Sequence, residues 1–300
     1  MTASPEPRRL PDFIGVGPPR TATTWLYEVM QGHAGFSAFR KETDFFTRFY
    51  GRGFDWYLQY FAACSPQLPM GEMSPLYFAS DDARERIRGA IPRCKIICAF
   101  RDPVERAWSH WRLMVRNMWT KLDFEQAAAS HRDIREAGRY GHYTAEWIAS
   151  FGRENILLMF YEDLERDPQG FVDQFCAFVG ASRFSLSDSP AAHDRVHSVP
   201  SRPRHPRVAR NVRDIRAWLN DRRMHRAARF IRDSPLWRYS FEGGEPFARP
   251  TPEVDARVRA ALRPEVEALE QISGRDLSAW KTGSARIQKQ NAGEISTAGV

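Results

Sequence analysis

Cysteine is scarce in this sequence and shows no metal-binding pattern. The chain of 300 residues has four cysteines, and they form no Cys-x-x-Cys pair and have no histidine partners at zinc-finger spacing: Cys64, Cys94, Cys98 and Cys176. A disulfide framework and a zinc finger are therefore not indicated, and this usage favours a reducing compartment. Cys94 and Cys98 lie in an apolar run, which predicts that both are core residues.

Long hydrophobic runs are also missing. No apolar stretch approaches the roughly 20 residues that a membrane span needs, and residues 1–11 are polar and proline-rich, unlike a signal peptide. We therefore expect a cytoplasmic protein with no membrane partner. No cluster of carboxylates or histidines resembles a metal site, so we also expect no metal.

Apolar and basic residues are abundant. Hydrophobic residues make up 42% and aromatic residues 13% of the chain, enough for a substantial core. The net charge is +7, which suggests an anionic partner such as a nucleotide, an acidic glycan, a nucleic acid or a membrane surface. A basic surface without a function is the alternative.

Strand patterns alternate with helix patterns along the chain. Buried strands are predicted at Phe13–Val16, Lys95–Phe100 and Asn155–Tyr161. Helices are predicted at 23–30, within the aromatic segment 41–63, after Asp102, at 143–151, after Asp167, at 208–232 and at 253–272. This order favours an α/β fold, a single domain with a doubly wound parallel sheet flanked by helices. The domain is predicted at 12–282, between flexible tails at 1–11 and 283–300.

The first motif is Gly17-Pro-Pro-Arg-Thr-Ala-Thr-Thr-Trp25, between a strand and a helix. Backbone N–H groups at a helix start attract anions, Thr23 and Thr24 add hydroxyl donors, and Arg20 adds a forked cation suited to phosphate. The order GxxxxGK[ST] of nucleotide-hydrolysing loops is absent. The motif therefore predicts a phosphate cradle, and an ordinary capped helix with an exposed arginine is the alternative.

The second motif runs from Phe100-Arg101-Asp-Pro to Ser109-His-Trp111. Arg101 follows a predicted strand at its carboxyl end, where α/β sheets place their ligands. Arg101 and Ser109 could hold a second phosphate. In the alternative, Arg101 only pairs with Asp102 or Glu105.

Together these motifs give the chain a resemblance to the sulfotransferases that use 3′-phosphoadenosine 5′-phosphosulfate (PAPS). Residues 138–168, GRYGHYTAEWIASFGRENILLMFYEDLERDP, are similar to a third pattern of that family, and the resemblance covers about 13–181. It implies a P-loop-like fold, PAPS as co-substrate and adenosine 3′,5′-bisphosphate as product. The residues that it assigns to the nucleotide are Arg20, Thr21, Ala22, Thr23, Thr24 and Trp25 at the 5′-phosphosulfate, and Arg101 and Ser109 at the 3′-phosphate. Trp25 stacks on adenine in the family, and core packing is its alternative here.

Within the family, the segment Lys41-Glu42-Thr-Asp-Phe-Phe46 resembles the heparan-sulfate branch, which carries K-E-x-x-F-F. The resemblance implies that Glu42 is the general base and that Arg20 and Lys41 stabilise charge on the transferring group. The chain departs from the family where Arg20 replaces Lys, Ala22 replaces Gly and Met73 replaces Lys. Arg202 and Arg204, in a Pro- and Arg-rich loop predicted at 197–207, match a further phosphate loop only loosely and could bind the acceptor instead.

Two residues near these motifs have other interpretations. His110 is interpreted as a helix-surface residue, and Glu72 as a buried structural partner, although it could be a second acid near the acceptor. The expected acceptor is a hydroxyl or amine of a glycan, a metabolite or a natural product. The competing functions are a small-molecule phosphotransferase, which would need Mg²⁺ ligands, and a nucleic-acid-binding protein that uses the stretch Arg202–Arg232. We expect no nucleic-acid partner.

Overall fold

The computed structural model describes residues 9–37, 41–189, 201–222 and 224–283. Residues 1–8 and 284–300 of the predicted tails, and residues 197–200 of the predicted loop, lie outside the described residues. The chain divides into two compact units. The first is formed within Met1–Arg101, Arg139–Val196 and Ala268–Arg275, and the second within Asp102–Gly138, His197–Glu267 and Asp276–Val300. The bounds 12–282 for the domain stay a prediction.

A five-stranded parallel sheet forms the centre of the first unit. Its strands lie in the order β2-β3-β1-β4-β5, so that β1 is between β3 and β4. The bounds are β1 Phe13–Gly17, β2 Gly35–Phe36, β3 Met70–Met73, β4 Lys95–Phe100 and β5 Ile156–Phe160. The prediction of an α/β fold on a parallel sheet is confirmed, and β1, β4 and β5 are the three predicted strands.

The helices are numbered α1 to α14 in chain order. In the first unit they are α1 Thr23–Val29, α2 Gly53–Leu58, α3 Asp81–Ala90, α7 Tyr140–Phe151, α8 Tyr161–Arg166 and α9 Pro168–Val179. A π-helical turn at Phe45–Phe49 and short 3₁₀ turns complete that unit: Tyr50–Arg52, Gln59–Phe61, Pro75–Tyr77, Arg153–Asn155 and Leu186–Asp188. The other helices are α4 Pro103–Arg116, α5 Phe124–Ser130, α6 Arg132–Glu136, α10 Pro206–Asp221, α11 His225–Asp233, α12 Pro235–Phe241, α13 Pro252–Ser273 and α14 Ser278–Thr282.

Helices cover the sheet of the first unit on both faces. Successive side chains of a strand point to opposite faces. In β4, Ile97 and Ala99 belong to the core cluster that also contains residues of α1 and α9. Phe100 points the other way and contacts Phe78 and Tyr140, with ring centroids 5.9 and 5.0 Å apart. A sheet buried on both faces explains why its central strands are continuous apolar runs. Cys94 and Cys98 are buried, as predicted.

Capping residues start the helices that Asp-Pro pairs predicted. The Asp102 carboxylate accepts hydrogen bonds from the backbone N–H groups of Val104 and Glu105 at the start of α4. Burial raises the pKa of Asp102, and the guanidinium of Arg259, 2.8 Å away, opposes that shift. Asp167 caps α9 in the same way through Gly170. Along the part of the chain that the structure describes, no helix is long and apolar enough to cross a membrane.

Candidate active site

The turn after β1 has an unusual backbone. Arg20 and Ala22 both have left-handed conformations, with φ of 76° and 67°. Turns of this kind form concavities of backbone N–H groups that bind anions. Thr21 is buried and donates its hydroxyl to the carbonyl of Pro18 at 2.7 Å, which fixes the turn from inside. The left-handed φ at Ala22 gives a physical reason for the glycine that the family has at this position.

Gly17 brings this turn close to the segment after β3. Its φ is +107°, and a Cβ added there would lie 2.5 Å from the carbonyl oxygen of Pro75. Only glycine combines that φ with so close an approach of two backbones. The turn therefore depends on the missing side chain at Gly17 as well as on the hydrogen bond from Thr21.

Lys41 lies beside the first residues of α1. Its ammonium group donates to the hydroxyl oxygens of Thr23 and Thr24, at 3.2 and 3.0 Å. The same ammonium group lies 3.0 Å from a carboxylate oxygen of Glu42, which is 38% exposed. The structure thus brings together Lys41, Glu42, Thr23 and Thr24, which the sequence assigned to one site. Residues 38–40, which precede this segment, lie outside the described residues.

Glu72 supports the segment that carries these two residues. It is fully buried in β3, and its carboxylate accepts hydrogen bonds from the backbone N–H and the hydroxyl of Thr43. The hydroxyls of Tyr57 and Ser74 also donate to it, both at 2.8 Å, and that of Tyr77 donates at 3.4 Å. Since Thr43 follows Glu42 directly, this network anchors the chain next to the proposed base. The interpretation of Glu72 as a buried structural partner agrees with this environment.

Burial dominates the electrostatics of this network. It raises the pKa of Glu72, while the hydrogen bonds from Thr43, Ser74 and Tyr57 oppose that shift. Burial also raises the pKa of Tyr57 and of Tyr77, and the neighbouring Glu72 carboxylate adds to both shifts. Both phenols are therefore neutral donors at physiological pH. Sequence reasoning missed Thr43, Tyr57 and Tyr77, and the interpretation of Glu72 as a buried residue was the one signal that could have led to them.

Arg101 lies at the same edge of the sheet as the turn. β1 and β4 are parallel neighbours, with Gly17 opposite Cys98, so their carboxyl ends meet at one edge. The strand that follows β1 in the sequence, β2, lies on one side of it along the sheet, and the strand that follows β4, β5, lies on the other side. Ligands of open α/β sheets bind where the strand order diverges in this way, here between β1 and β4. The guanidinium of Arg101 lies 4.6 Å from the centroid of the Tyr161 ring.

The remaining predicted residues have varied environments. Trp25 is 9% exposed and packs edge-on against Phe171 in the core, and its contact with adenine stays a prediction. Ser109 lies in α4 of the second unit and is buried. In the same unit, Arg202 and Arg204 are exposed, and Arg202 lies 3.7 Å from the carboxylate of Glu245.

The prediction that His110 lies on the helix surface is wrong. Its side chain is 6% exposed, because α4 is buried around most of its circumference and includes the run Trp108–Trp111 among its buried residues. Among the residues that the structure describes, no group of three or more His, Cys, Asp or Glu side chains is placed to hold a metal ion.

Comparison with known proteins identifies the family. The model of the sulfotransferase domain family matches residues 10–191, more than half of the chain. The chain therefore belongs to the sulfotransferase family, as its motifs predicted.

Two relatives are 30% and 29% identical to this chain over the aligned positions. The human bifunctional heparan sulfate N-deacetylase/N-sulfotransferase 3 is 30% identical over an alignment of 195 positions that covers 57% of this chain and 22% of that protein. The mouse heparan sulfate glucosamine 3-O-sulfotransferase 6 is 29% identical over an alignment of 192 positions that covers 61% of this chain and 56% of that protein. The matches thus span about a fifth and about half of these relatives.

A solved structure supports the fold. The sulfotransferase from Alicyclobacillus acidocaldarius superimposes with a TM-score of 0.62 at 22% identity, over 91% of this chain and all of that one. At this identity the likeness shows the fold alone, and it agrees with the P-loop-like α/β architecture that the motifs implied.

Proposed function

We propose that this chain transfers a sulfuryl group from PAPS to a hydroxyl or amine of an acceptor. The observation that carries the proposal is the position of Lys41 and Glu42. The segment that holds them contacts the first residues of α1, next to the left-handed turn after β1, and all of them lie within the residues matched by the sulfotransferase domain.

The residues of the turn suit a phosphosulfate group. Arg20 and Lys41 supply positive charge, Thr23 and Thr24 supply hydroxyls, and the backbone of Thr21 and Ala22 supplies N–H groups. Arg101 at the end of β4 binds the 3′-phosphate of the donor. Three further residues are assigned to the nucleotide by the family resemblance alone: Ser109, Arg202 and Arg204.

In the proposed reaction the acceptor oxygen or nitrogen attacks sulfur. Its new bond to sulfur forms as the bond between sulfur and the bridging oxygen of the 5′-phosphosulfate breaks, and adenosine 3′,5′-bisphosphate leaves with that electron pair. Glu42 takes the proton that the acceptor loses. Arg20 and Lys41 stabilise the negative charge that develops on the transferring group and the leaving phosphate.

A glycan is the acceptor class that the relatives favour. Both relatives described above carry heparan sulfate in their names, and the K-E-x-x-F-F segment of this chain resembles that branch. A metabolite or a natural product remains in the acceptor screen because the chain spans only part of those relatives.

An acceptor screen with PAPS tests the function. The full chain is incubated with PAPS, EDTA and pools of glycans, metabolites and natural products, and sulfated products are read by mass spectrometry. We expect a sulfated product that requires the chain and survives EDTA. A parallel screen with ATP and Mg²⁺ tests the phosphotransferase alternative. A phosphorylated product there, with no sulfated product from PAPS, would overturn the proposal.

A further inference from the structure

The helices α10 to α12 carry the positive charge of the whole chain. The segment 206–241 has ten arginines, three aspartates and no other charged residue, which gives the same net charge, +7, as the full sequence. The rest of the chain is therefore neutral in sum. A charge so concentrated indicates that this part of the second unit meets a negatively charged partner.

The same helices expose large apolar side chains. In α10, Val208, Ile215 and Trp218 are seven and three residues apart, which places them on one face, and all three are exposed. Trp218 is 50% exposed, and the guanidinium of Arg222 lies 4.5 Å from its ring centroid. Helical periodicity places the buried residues Ala209, Val212 and Leu219 beside this face, since Val212 and Leu219 are four and eleven residues after Val208. The apolar side of α10 thus extends beyond its buried residues into solvent.

Helix α11 repeats the combination of apolar and basic residues. Phe230 is 78% exposed, the most exposed large apolar residue among those that the structure describes. Arg226 and Arg229 are four and one residues before it, and both are exposed as well. Met224, just before α11, is exposed too. Aromatic and aliphatic side chains surrounded by arginines are typical of helices that lie on a membrane surface.

We propose that α10 and α11 bind the surface of an anionic lipid bilayer. The arginines contact lipid headgroups, and Ile215, Trp218 and Phe230 enter the boundary between headgroups and acyl chains. This differs from the sequence-based expectation of no membrane partner, and it is independent of the proposed transfer reaction.

The positive charge and the exposed apolar side chains of α10 and α11 favour a lipid surface over a second copy of the chain, a nucleic acid or a sulfated glycan. A second copy of the chain would bring two faces of equal positive charge together, which is unfavourable. A nucleic acid or a sulfated glycan would satisfy the arginines but would leave Val208, Ile215 and Met224 without an apolar partner. A bilayer surface satisfies both kinds of side chain at once.

Co-sedimentation of the full chain with lipid vesicles tests the proposal. We expect binding to vesicles of phosphatidylcholine mixed with phosphatidylglycerol, and much weaker binding to phosphatidylcholine alone. The double variant Trp218→Ser/Phe230→Ser should bind the anionic vesicles at least about tenfold more weakly, because it loses two inserting side chains. Arg226→Gln/Arg229→Gln should also weaken binding by about tenfold, since each arginine contributes through the surface potential.

Trp119→Ser is the matched control. Trp119 is 56% exposed but lies outside α10 and α11, so this variant should bind as the wild type does. Circular dichroism establishes that each variant is folded. The proposal is overturned if the anionic vesicles are not bound, or if Trp218→Ser/Phe230→Ser binds them like the wild type. It is also overturned if vesicle binding is absent while heparin or single-stranded DNA binds, or if Trp218→Ser dissociates a dimer measured by sedimentation equilibrium.

Discussion

Replacing Glu42 with glutamine separates the two roles that this carboxylate can have. Glutamine keeps the size and a hydrogen-bonding group but cannot accept the acceptor's proton. If Glu42 is the general base, turnover should fall on the order of 10²–10⁴-fold. If Glu42 only pairs with Lys41, the variant loses one ion pair and nothing else.

The structure sets the size of the second effect. The Lys41–Glu42 pair spans 3.0 Å, and the Glu42 side chain is 38% exposed, so solvent screens it. Such a pair contributes about 0–1 kcal/mol. Even if all of that energy were lost from the transition state, turnover would fall only about fivefold, since about 1.4 kcal/mol corresponds to tenfold. The two roles therefore predict effects that do not overlap.

The assay is turnover with PAPS and the acceptor that the screen identifies. Glu28→Gln is the matched control, because Glu28 is an exposed carboxylate of α1. We expect Glu42→Gln to bind adenosine 3′,5′-bisphosphate as the wild type does and to lose turnover, while Glu28→Gln keeps both. A loss of fivefold or less in Glu42→Gln would mean that another group takes the proton.

Three further predictions follow from single contacts. Arg20→Ala should weaken PAPS binding about 10- to 100-fold, measured by calorimetry, because it loses a charge-assisted contact. Arg20→Lys should keep much of the affinity. Wild-type binding by the alanine variant would exclude Arg20 from the site. Gly17→Ala should lower the free energy of unfolding in urea by at least about 2 kcal/mol, because Gly17 has a positive φ and Pro75 lies close to it. The control Gly89→Ala, in α3 with open space around it, should raise the free energy of unfolding by about 0.5–1 kcal/mol. Equal effects of the two substitutions would contradict the close approach at Gly17. Burial raises the pKa of Glu72 from its usual 4.5, so its contribution to stability is full below pH 4.5 and is lost as the pH rises through the raised pKa. Urea unfolding should therefore show the wild type losing stability relative to Glu72→Gln as the pH rises, and a difference that is constant or of opposite sign would refute the shift.

The sequence predicted those elements whose signal is local. β1, β4 and β5 are apolar runs that end in Gly-Pro, Asp-Pro or acidic segments, and these patterns belong to buried parallel strands. β3 was not predicted because its four residues include Gly71 and Glu72, which are both unusual in a strand. Two of the residues that donate to Glu72, Tyr57 and Thr43, are 15 and 29 residues away in the sequence, so no local pattern reveals them.

The candidate site likewise combines residues that a local motif reveals with residues that only tertiary packing brings together. The motifs predicted which residues belong to it, and the structure brings Lys41 and Glu42 to Thr23 and Thr24. The Thr43–Glu72 network depends on tertiary packing and leaves no motif. His110 was misjudged because a helix buried on most sides has no polar face to reveal its orientation.

Calorimetry with two nucleotides tests the central claim, that PAPS is the donor, without knowledge of the acceptor. Adenosine 3′,5′-bisphosphate and AMP differ only in the 3′-phosphate, which Arg101 is proposed to bind. One charge-assisted contact contributes about 1.5–3 kcal/mol, so the bisphosphate should bind about 10- to 150-fold more tightly than AMP. Equal affinities for the two nucleotides would contradict the account.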